Sequence, residues 1–304
     1  MTAKPYNEGP IDTTDAAGTR PVLRIVHPTD FSAASDVAFG HALKLALVSG
    51  AELDLLHVSR QRNRIGWEAF PGVRATLERW GIPQPDGASA PPGHAGLLVG
   101  KIVGVDSDPV RSVVGYVGEH PTDLVVLATH QRDGIERWLH AATAEPIARR
   151  SHEMTLFIPP GAGGFVSAET GAVTLRRILV PVDRTPAPQP AVDATAALLG
   201  GVGCAEASIV LLHVGPEANL PAVKTPLGGG CRWEWTVREG EPVDGIRDVA
   251  AELAAELIVM TTQGHRGLTD ALRGSTTERV IRRARCPVLA VPEGSRAMVR
   301  LFCR

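Results

Sequence analysis

At 304 residues, the chain exceeds the roughly 100 to 200 residues expected of one domain, which favours two. Its 31 basic and 33 acidic residues give a net charge of -2, so no basic field for nucleic acid or an anionic membrane is indicated. A hydrophobic content of 44% with 21% charged residues is typical of a globular protein and allows two cores.

The amino-terminal segment, residues 1–20, is polar and rich in small side chains, which predicts a disordered lead-in. It has no apolar stretch flanked by basic residues, and nowhere does the chain carry about 18 consecutive apolar residues. We therefore expect a cytoplasmic protein. The cysteines are scattered without CxxC spacing, which argues against a disulfide framework or a zinc site; they are Cys204, Cys231, Cys286 and Cys303.

The first elements predicted are a strand, a helix and a strand. Residues 23–26 form a short apolar run typical of a buried parallel strand, and AELDLLHV, from Ala51, forms a second. Between them, apolar residues recur at helical spacing over 33–48, with Ser32 as cap and Gly50 as stop.

Further along, an insert containing WEAFPGVRATLERWG predicts a helix opened by Pro71 and stopped by Gly81, with its aromatic residues as core or interface packing rather than a cofactor box. A helix PVRSVVGYVGEH, a strand DLVVLA, a further helix and a strand MTLFIPP follow. The stretch 159–173 is rich in glycine, proline and small residues, which predicts a linker.

The second half of the chain repeats the first. LRIVHPTD from Leu23 returns as LRRILVPVD from Leu175, and DLVVLATH from Asp123 returns as ELIVMTTQ from Glu256, without the long insert. Alternating strands and helices predict a parallel sheet with right-handed crossovers in each copy. We assign domain 1 to 21–158, domain 2 to 174–296 and a carboxyl-terminal tail to 297–304.

In domain 2, a loop leads from a strand to a helix between Gly264 and Gly274, and Ser275 and Thr276 follow. Glycine lets a backbone approach a ligand closely, and the free amides of a helix start attract phosphate, so the loop can bind phosphate without a lysine. Capping is the alternative explanation, because Ser275 and Glu278 also fit a capping box.

Both halves resemble the universal stress protein family, whose ATP-binding members carry the pattern GxxGx(9)G[ST]. Thr261 replaces the first glycine here, while Gly264, the nine-residue spacing, Gly274 and Ser275 match. The resemblance implies two tandem Rossmann-like α/β domains, each an open five-stranded parallel sheet with helices on both faces. It also implies ATP, with or without Mg²⁺, bound in domain 2 by Pro181, Val182, Asp183, Val214, Thr261, Gln263, Gly264, Gly274, Ser275, Thr276 and Thr277.

Domain 1 keeps the adenine side of this pattern in Pro28, Thr29, Asp30 and Val58. Its phosphate side is lost, because Gln131, Ala141 and Ala142 stand where domain 2 has Gly264, Gly274 and Ser275. We predict that domain 1 does not bind ATP in this way. The resemblance also implies that the last strands, MTLFIPP and CPVLAVP, pair to form an internal pseudo-dimer, which can dimerise again or bind a regulatory protein.

Several candidate residues have a structural interpretation as well. Asp30 and Asp183 follow strands, where aspartate commonly turns the chain or caps a helix. His57 and His213 are typical of histidines packed in a sheet, and the recurring arginines of the later helices, Arg149, Arg150, Arg282 and Arg283, favour solvated helix ends.

No hydrolase, kinase, nucleophile-elbow or metalloprotease motif is present, and neither is an adenylating SGGxDS or HIGH motif. The leading hypothesis is a non-enzymatic, ATP-binding tandem universal stress protein. A nucleotide-independent scaffold with both sites decayed is the alternative. A weak ATP hydrolase using Asp183, Mg²⁺ and His265 is the third.

Overall fold

The computed structural model of the protein describes residues 22–60, 65–83, 97–129, 141–226, 230–263 and 276–303. The elements of domain 1 are β1 (Arg24–Pro28), α1 (Ala33–Ser49), β2 (Glu52–Ser59), α2 (Val73–Arg79), β3 (Val99–Val105), α3 (Pro109–Glu119), β4 (Leu124–Ala128), α4 (Ala141–Ser151) and β5 (Thr155–Ile158). Those of domain 2 are β6 (Arg177–Pro181), α5 (Gln189–Gly201), β7 (Ser208–Val214), β8 (Arg232–Arg238), α6 (Pro242–Glu252), β9 (Leu257–Thr262), α7 (Thr276–Arg283) and β10 (Val288–Pro292), and α8 (Ala297–Phe302) follows.

Local signals set the helix boundaries. The Ser32 hydroxyl accepts a hydrogen bond from the Ser35 amide at the start of α1, and Gly50 ends the helix in the left-handed region at φ 66°. In α3, the carboxylate of Asp108 caps the first turn and Pro109 occupies a position that needs no amide donor. The helices predicted over 33–48 and from Pro109 are confirmed.

The ten strands form one continuous sheet in the order β3-β2-β1-β4-β5-β10-β9-β6-β7-β8. All pairs within each half are parallel, so each domain contributes the five-stranded parallel sheet that was predicted. The halves join through an antiparallel pair, β5 with β10, in which Leu156 lies opposite Leu289. This is the internal pairing of MTLFIPP with CPVLAVP that the family resemblance implied.

Two apolar layers cover the sheet, one on each face. The first packs α1, α5 and α8 against the sheet, and the second packs α3, α6 and α7. Each layer includes buried residues of both domains, for example Leu124 and Leu257 in the first layer and Phe157 and Ile281 in the second. The two domains therefore share continuous cores.

The segment predicted as a linker, 159–173, is packed against domain 1. Phe165 and Val166 are buried, and Val166 forms an antiparallel bridge with Val173. The insert helix α2 reaches the same segment, because the Trp80 indole donates a hydrogen bond of 3.0 Å to the Ala168 carbonyl. The segment predicted as a linker is thus an ordered part of the fold.

The expectation that 297–304 is only a tail was incomplete. Its α8 packs between α5 and α1, with Met298 and Leu301 buried. Arg300 in α8 donates two hydrogen bonds to Asp123 of domain 1, at 2.9 and 2.6 Å. The carboxyl-terminal helix therefore connects both domains. The predicted lead-in lies outside the described residues.

Among the described helices, none is both long enough and apolar enough to cross a membrane.

Candidate functional site

A cavity of about 240 Å³ lies at the carboxyl ends of β6, β7 and β9 in domain 2. The chain passes from β6 to β7 on one side and, later, to β9 on the other, so the cavity sits where the strand order reverses. Ligands of open α/β sheets bind at such points. The wall is completed by the loop before α5 and by the first turns of α6 and α7.

Eight of the eleven residues predicted to bind ATP line this cavity: Pro181, Val182, Asp183, Val214, Thr261, Gln263, Thr276 and Thr277. The other three, Gly264, Gly274 and Ser275, lie outside the described residues, as does the capping interaction proposed for Ser275. The structure thus brings together residues as far apart in the sequence as Pro181 and Thr277, 96 positions (277 minus 181).

The loop after β6 is held in place by neighbouring strands. The amide of Val182 donates a hydrogen bond of 2.8 Å to the Leu212 carbonyl, and Nδ1 of the buried His213 lies 3.2 Å from the Val182 carbonyl. Asp183 follows with an exposed side chain, and its carboxylate accepts a hydrogen bond only from the adjacent amide of Arg184 among the described residues. The Asp183 carboxylate is therefore available at the cavity mouth.

Thr261, which departs from the family pattern, is accommodated by the packing of α5. It continues the alternation of Leu257 and Val259, whose side chains face α5. Its hydroxyl accepts a hydrogen bond from the Ala191 amide at 3.2 Å and lies 3.4 Å from the Pro188 carbonyl. The hydroxyl thus serves the first turn of α5, which has no side-chain cap of its own.

An apolar slot forms the inner part of the cavity. Its side chains come from the ends of β7 and β9 and from α6, namely Leu212, Val214, Ile246 and Met260. Gly245 allows α6 to lie close to β7, because a Cβ at that position would stand 2.9 Å from Cγ2 of Val214. An apolar slot between two helices and a sheet suits a flat ring such as a nucleobase.

Sequence reasoning missed half of the lining: Thr185, Pro186, Pro188, Leu212, Pro242, Ile246, Met260 and Thr262. The apolar members read as core in the sequence, since nothing local separates a residue facing a cavity from one facing a neighbouring side chain. The lining identified here contains no lysine or arginine, so attraction of an anion depends on the amides of the α7 segment.

The corresponding loop of domain 1 is tied down locally. The Asp30 carboxylate accepts a hydrogen bond of 3.0 Å from the Ser32 amide, and the Thr29 hydroxyl accepts from the Phe31 amide and from Ser35. His57 lies 2.8 Å from the Thr29 carbonyl and stacks on Phe31. Asp30 thus turns the chain into α1, the structural role weighed for it above. Gln131 lies outside the described residues.

Arg282 lies at a solvated helix end, as expected, and also contacts the other domain. Its guanidinium bridges the domains by donating two hydrogen bonds of 2.8 Å to the Glu145 carboxylate of α4. Arg282 also pairs with Glu278 one turn earlier. At 57% exposure the Arg282 side chain is solvated, so this ion pair contributes little to stability.

The described residues contain no cluster of three or more metal-binding side chains, and the four cysteines are free thiols. Burial raises the pKa of the Cys286 thiol to about 12, which leaves it unreactive as a nucleophile.

The fold is a tandem of Rossmann-like domains, and the second domain has a cavity at the carboxyl ends of its strands. The chain belongs to the universal stress protein family, whose profile matches residues 22–159 and 224–292. A universal stress protein of Methanocaldococcus jannaschii is 40% identical over 84 residues, which cover 28% of this chain and 49% of that protein. One of Synechocystis is 40% identical over 62 residues, or 20% of this chain and 40% of that protein. The matches thus span half or less of these relatives' length.

Solved structures share the fold over almost the whole chain. A universal stress protein from Archaeoglobus fulgidus aligns with 89% of this chain and 98% of its own, at 17% identity and a TM-score of 0.55. A putative universal stress protein from Pseudomonas aeruginosa aligns with 92% of this chain and 96% of its own, at 16% identity and a TM-score of 0.56. These likenesses establish the architecture of the tandem.

Proposed function

We propose that domain 2 binds an adenine nucleotide, ATP with or without Mg²⁺, in the cavity at the ends of β6, β7 and β9. The protein then acts as a nucleotide-responsive binding protein, in which domain 1 does not take part in nucleotide binding. The observation that carries this proposal is the convergence of eight predicted binding residues on one cavity at the reversal of strand order.

Each part of a nucleotide has a matching region in this cavity. The adenine ring enters the slot between Val214 and Ile246, with Asp183 at its edge as an acceptor for an amino group. The ribose and the phosphates extend past Gln263 toward Thr276 and Thr277, where hydroxyl groups and helix amides donate hydrogen bonds.

The proposal includes a binding role without efficient turnover. Among the lining residues, Asp183 is the one ionisable side chain, and it is exposed rather than held against a second polar group that would orient it. Phosphoryl transfer at useful rates needs cations and an oriented base around the transferred group. We expect any hydrolysis of ATP to be very slow.

The repeat supplies a matched test of the assignment. Replacing Val214 by tryptophan fills the proposed adenine slot, whereas the same change at its counterpart Val58 alters domain 1 only. Thermal unfolding is measured with and without ATP and Mg²⁺, since a ligand that binds only the folded state raises the melting temperature. We expect a shift for the parent and for Val58→Trp, and no shift for Val214→Trp.

Two results would overturn the proposal. One is the absence of a shift for the parent protein at millimolar ATP, which would leave the scaffold hypothesis. The other is a shift that Val58→Trp removes and Val214→Trp keeps, which would place the nucleotide in domain 1. Prolonged incubation with labelled ATP separates binding from turnover, and many turnovers per hour would contradict the binding role.

A further inference from the structure

A second cavity of about 240 Å³ lies across the seam between the domains. It opens between α4 and α7, over the antiparallel pair of β5 and β10. Thr262, Gln263 and Thr277 line both this cavity and the one at the strand ends, so the two are neighbours that share a wall. Its volume equals that of about eight water molecules in the liquid, which suits a ligand of amino-acid size.

The repeat places equivalent charged residues around this second cavity. Glu145 of α4 corresponds to Glu278 of α7, and Arg149 corresponds to Arg282, each pair being 133 positions apart (278 minus 145, 282 minus 149). All four line the cavity. If the interface between the domains were symmetrical, Arg149 and Arg282 would make equivalent ion pairs.

The ion pairs at this cavity are not equivalent. Arg282 forms ion pairs with both Glu145 and Glu278. Burial, together with the hydrogen bond from Glu278, raises the pKa of Glu145, while Arg282 opposes the rise. Arg149 is half-buried at the same cavity and makes no ion pair or side-chain hydrogen bond with the described residues. One guanidinium is neutralised, and its counterpart is left without a carboxylate.

A carboxylate is likewise left without a partner. Glu153 lines the cavity half-buried, and its side chain makes no hydrogen bond or ion pair with the described residues. Burial raises its pKa, and nearby Asp123 adds to the rise while Arg300 opposes it. Arg149 and Glu153 have opposite charges and face one cavity, yet they do not pair with each other. Both charges are therefore available to a ligand that carries the opposite charges.

Part of the remaining lining is apolar, beside the polar side chains of His152, Thr155, Thr262, Gln263 and Thr277. Phe157 and Ala290 form the floor on the two central strands, and Pro146, Ile281 and Pro292 close the sides. Such a surface binds a hydrocarbon side chain.

We propose that this interdomain cavity binds a small zwitterion with an apolar side chain, an amino acid of the leucine type. Its carboxylate pairs with Arg149, its ammonium group pairs with Glu153, and its side chain packs on Phe157 and Ile281. The site is distinct from the nucleotide cavity and does not depend on the function proposed for it.

The test is calorimetric titration of the full chain with L-leucine in the absence of nucleotide. Two analogues separate the contributions of the charges: 4-methylpentanoate lacks the ammonium group and isoamylamine lacks the carboxylate. We expect leucine to bind at least tenfold more tightly than either analogue. Arg149→Gln and Glu153→Gln should each weaken leucine binding at least tenfold, since each leaves one ligand charge unpaired.

The controls use neighbouring positions. Arg150→Gln removes an exposed arginine from the same turn of α4, outside the cavity lining, and should bind leucine as the parent does. Val214→Trp fills the nucleotide cavity and should leave leucine binding intact. Thermal unfolding of each variant establishes that it is folded, and Arg149→Lys, which keeps the positive charge, should recover part of the binding.

The proposal is overturned by any of three results. Leucine fails to bind the parent at millimolar concentration, the analogues bind as tightly as leucine, or Arg149→Gln and Glu153→Gln bind it unchanged. Loss of leucine binding in Val214→Trp would also refute it, because the ligand would then occupy the other cavity.

Discussion

His41 on α1 is the residue through which domain 1 holds the segment 159–173. Its Nδ1 donates a hydrogen bond of 2.8 Å to the Val37 carbonyl, which leaves Nε2 as the acceptor. Nε2 accepts from the amides of Phe165 and Val166, at 2.9 and 3.2 Å. The Phe165 ring packs edge-on against the imidazole at 4.6 Å between centroids. One buried ring thus satisfies two backbone donors of another segment.

Replacing His41 by leucine should destabilise the protein. The change keeps an apolar side chain of similar size but leaves two buried amides without an acceptor, and each such loss costs about 1 to 3 kcal/mol. We therefore expect the free energy of unfolding to fall by about 2 to 6 kcal/mol. His41→Gln retains a carbonyl oxygen that can accept from one amide, so its loss should be about half as large.

Two measurements check this prediction. Chemical denaturation gives the free energy of unfolding, and hydrogen exchange reports the protection of the Phe165 and Val166 amides directly. In His41→Leu both amides should exchange much faster than in the parent, while amides of β9 stay protected. A free energy within about 0.5 kcal/mol of the parent, with unchanged protection of these amides, would refute the reasoning.

Three further predictions follow from other contacts. Burial lowers the pKa of His27 and His41 to about 4, so the unfolded chain binds more protons than the folded chain between pH 6.5 and 4. As the pH falls through this range, the free energy of unfolding should decrease by about 3 kcal/mol per histidine. Denaturation midpoints that do not change with pH would contradict this. Thr261→Val should lower the free energy of unfolding by about 1 kcal/mol and leave ATP affinity within threefold, because the hydroxyl serves α5; calorimetry that shows lost affinity would contradict it. Glu145→Gln should change the free energy of unfolding by less than about 1 kcal/mol, because its partner Arg282 is largely solvated. A larger decrease, measured by chemical denaturation, would contradict this.

Most of the fold could be predicted because the signals that determine it are local and occur twice. The helix α1 has its cap at Ser32 and its stop at Gly50, and α3 and α6 each begin at a proline. The alternation of strands and helices predicted a parallel sheet in each copy. The number of strands and the pairing of β5 with β10 were implied by the family resemblance.

The parts that could not be predicted depend on contacts between distant segments. Composition marks 159–173 as a linker, but its order comes from a histidine more than 120 positions earlier. The final helix is only six residues long, and its docking rests on Arg300 meeting Asp123. Ile246 and Met260, which line the cavity at the strand ends of domain 2, were missed for a similar reason: they have the pattern of core residues, and only the fold shows that they face a cavity.

The antiparallel union of β5 with β10 has a consequence for how the halves could diverge. Since the strands of one half run opposite to those of the other, their carboxyl ends lie on opposite sides of the common sheet. The residues at the strand ends of domain 1 can therefore change without altering those at the strand ends of domain 2. Removal of domain 1 would leave β10 as an exposed edge strand, and exposed edge strands tend to pair with strands of other molecules. Domain 1 therefore has a structural role that requires no ligand, because β5 and β10 each cover the edge of the other.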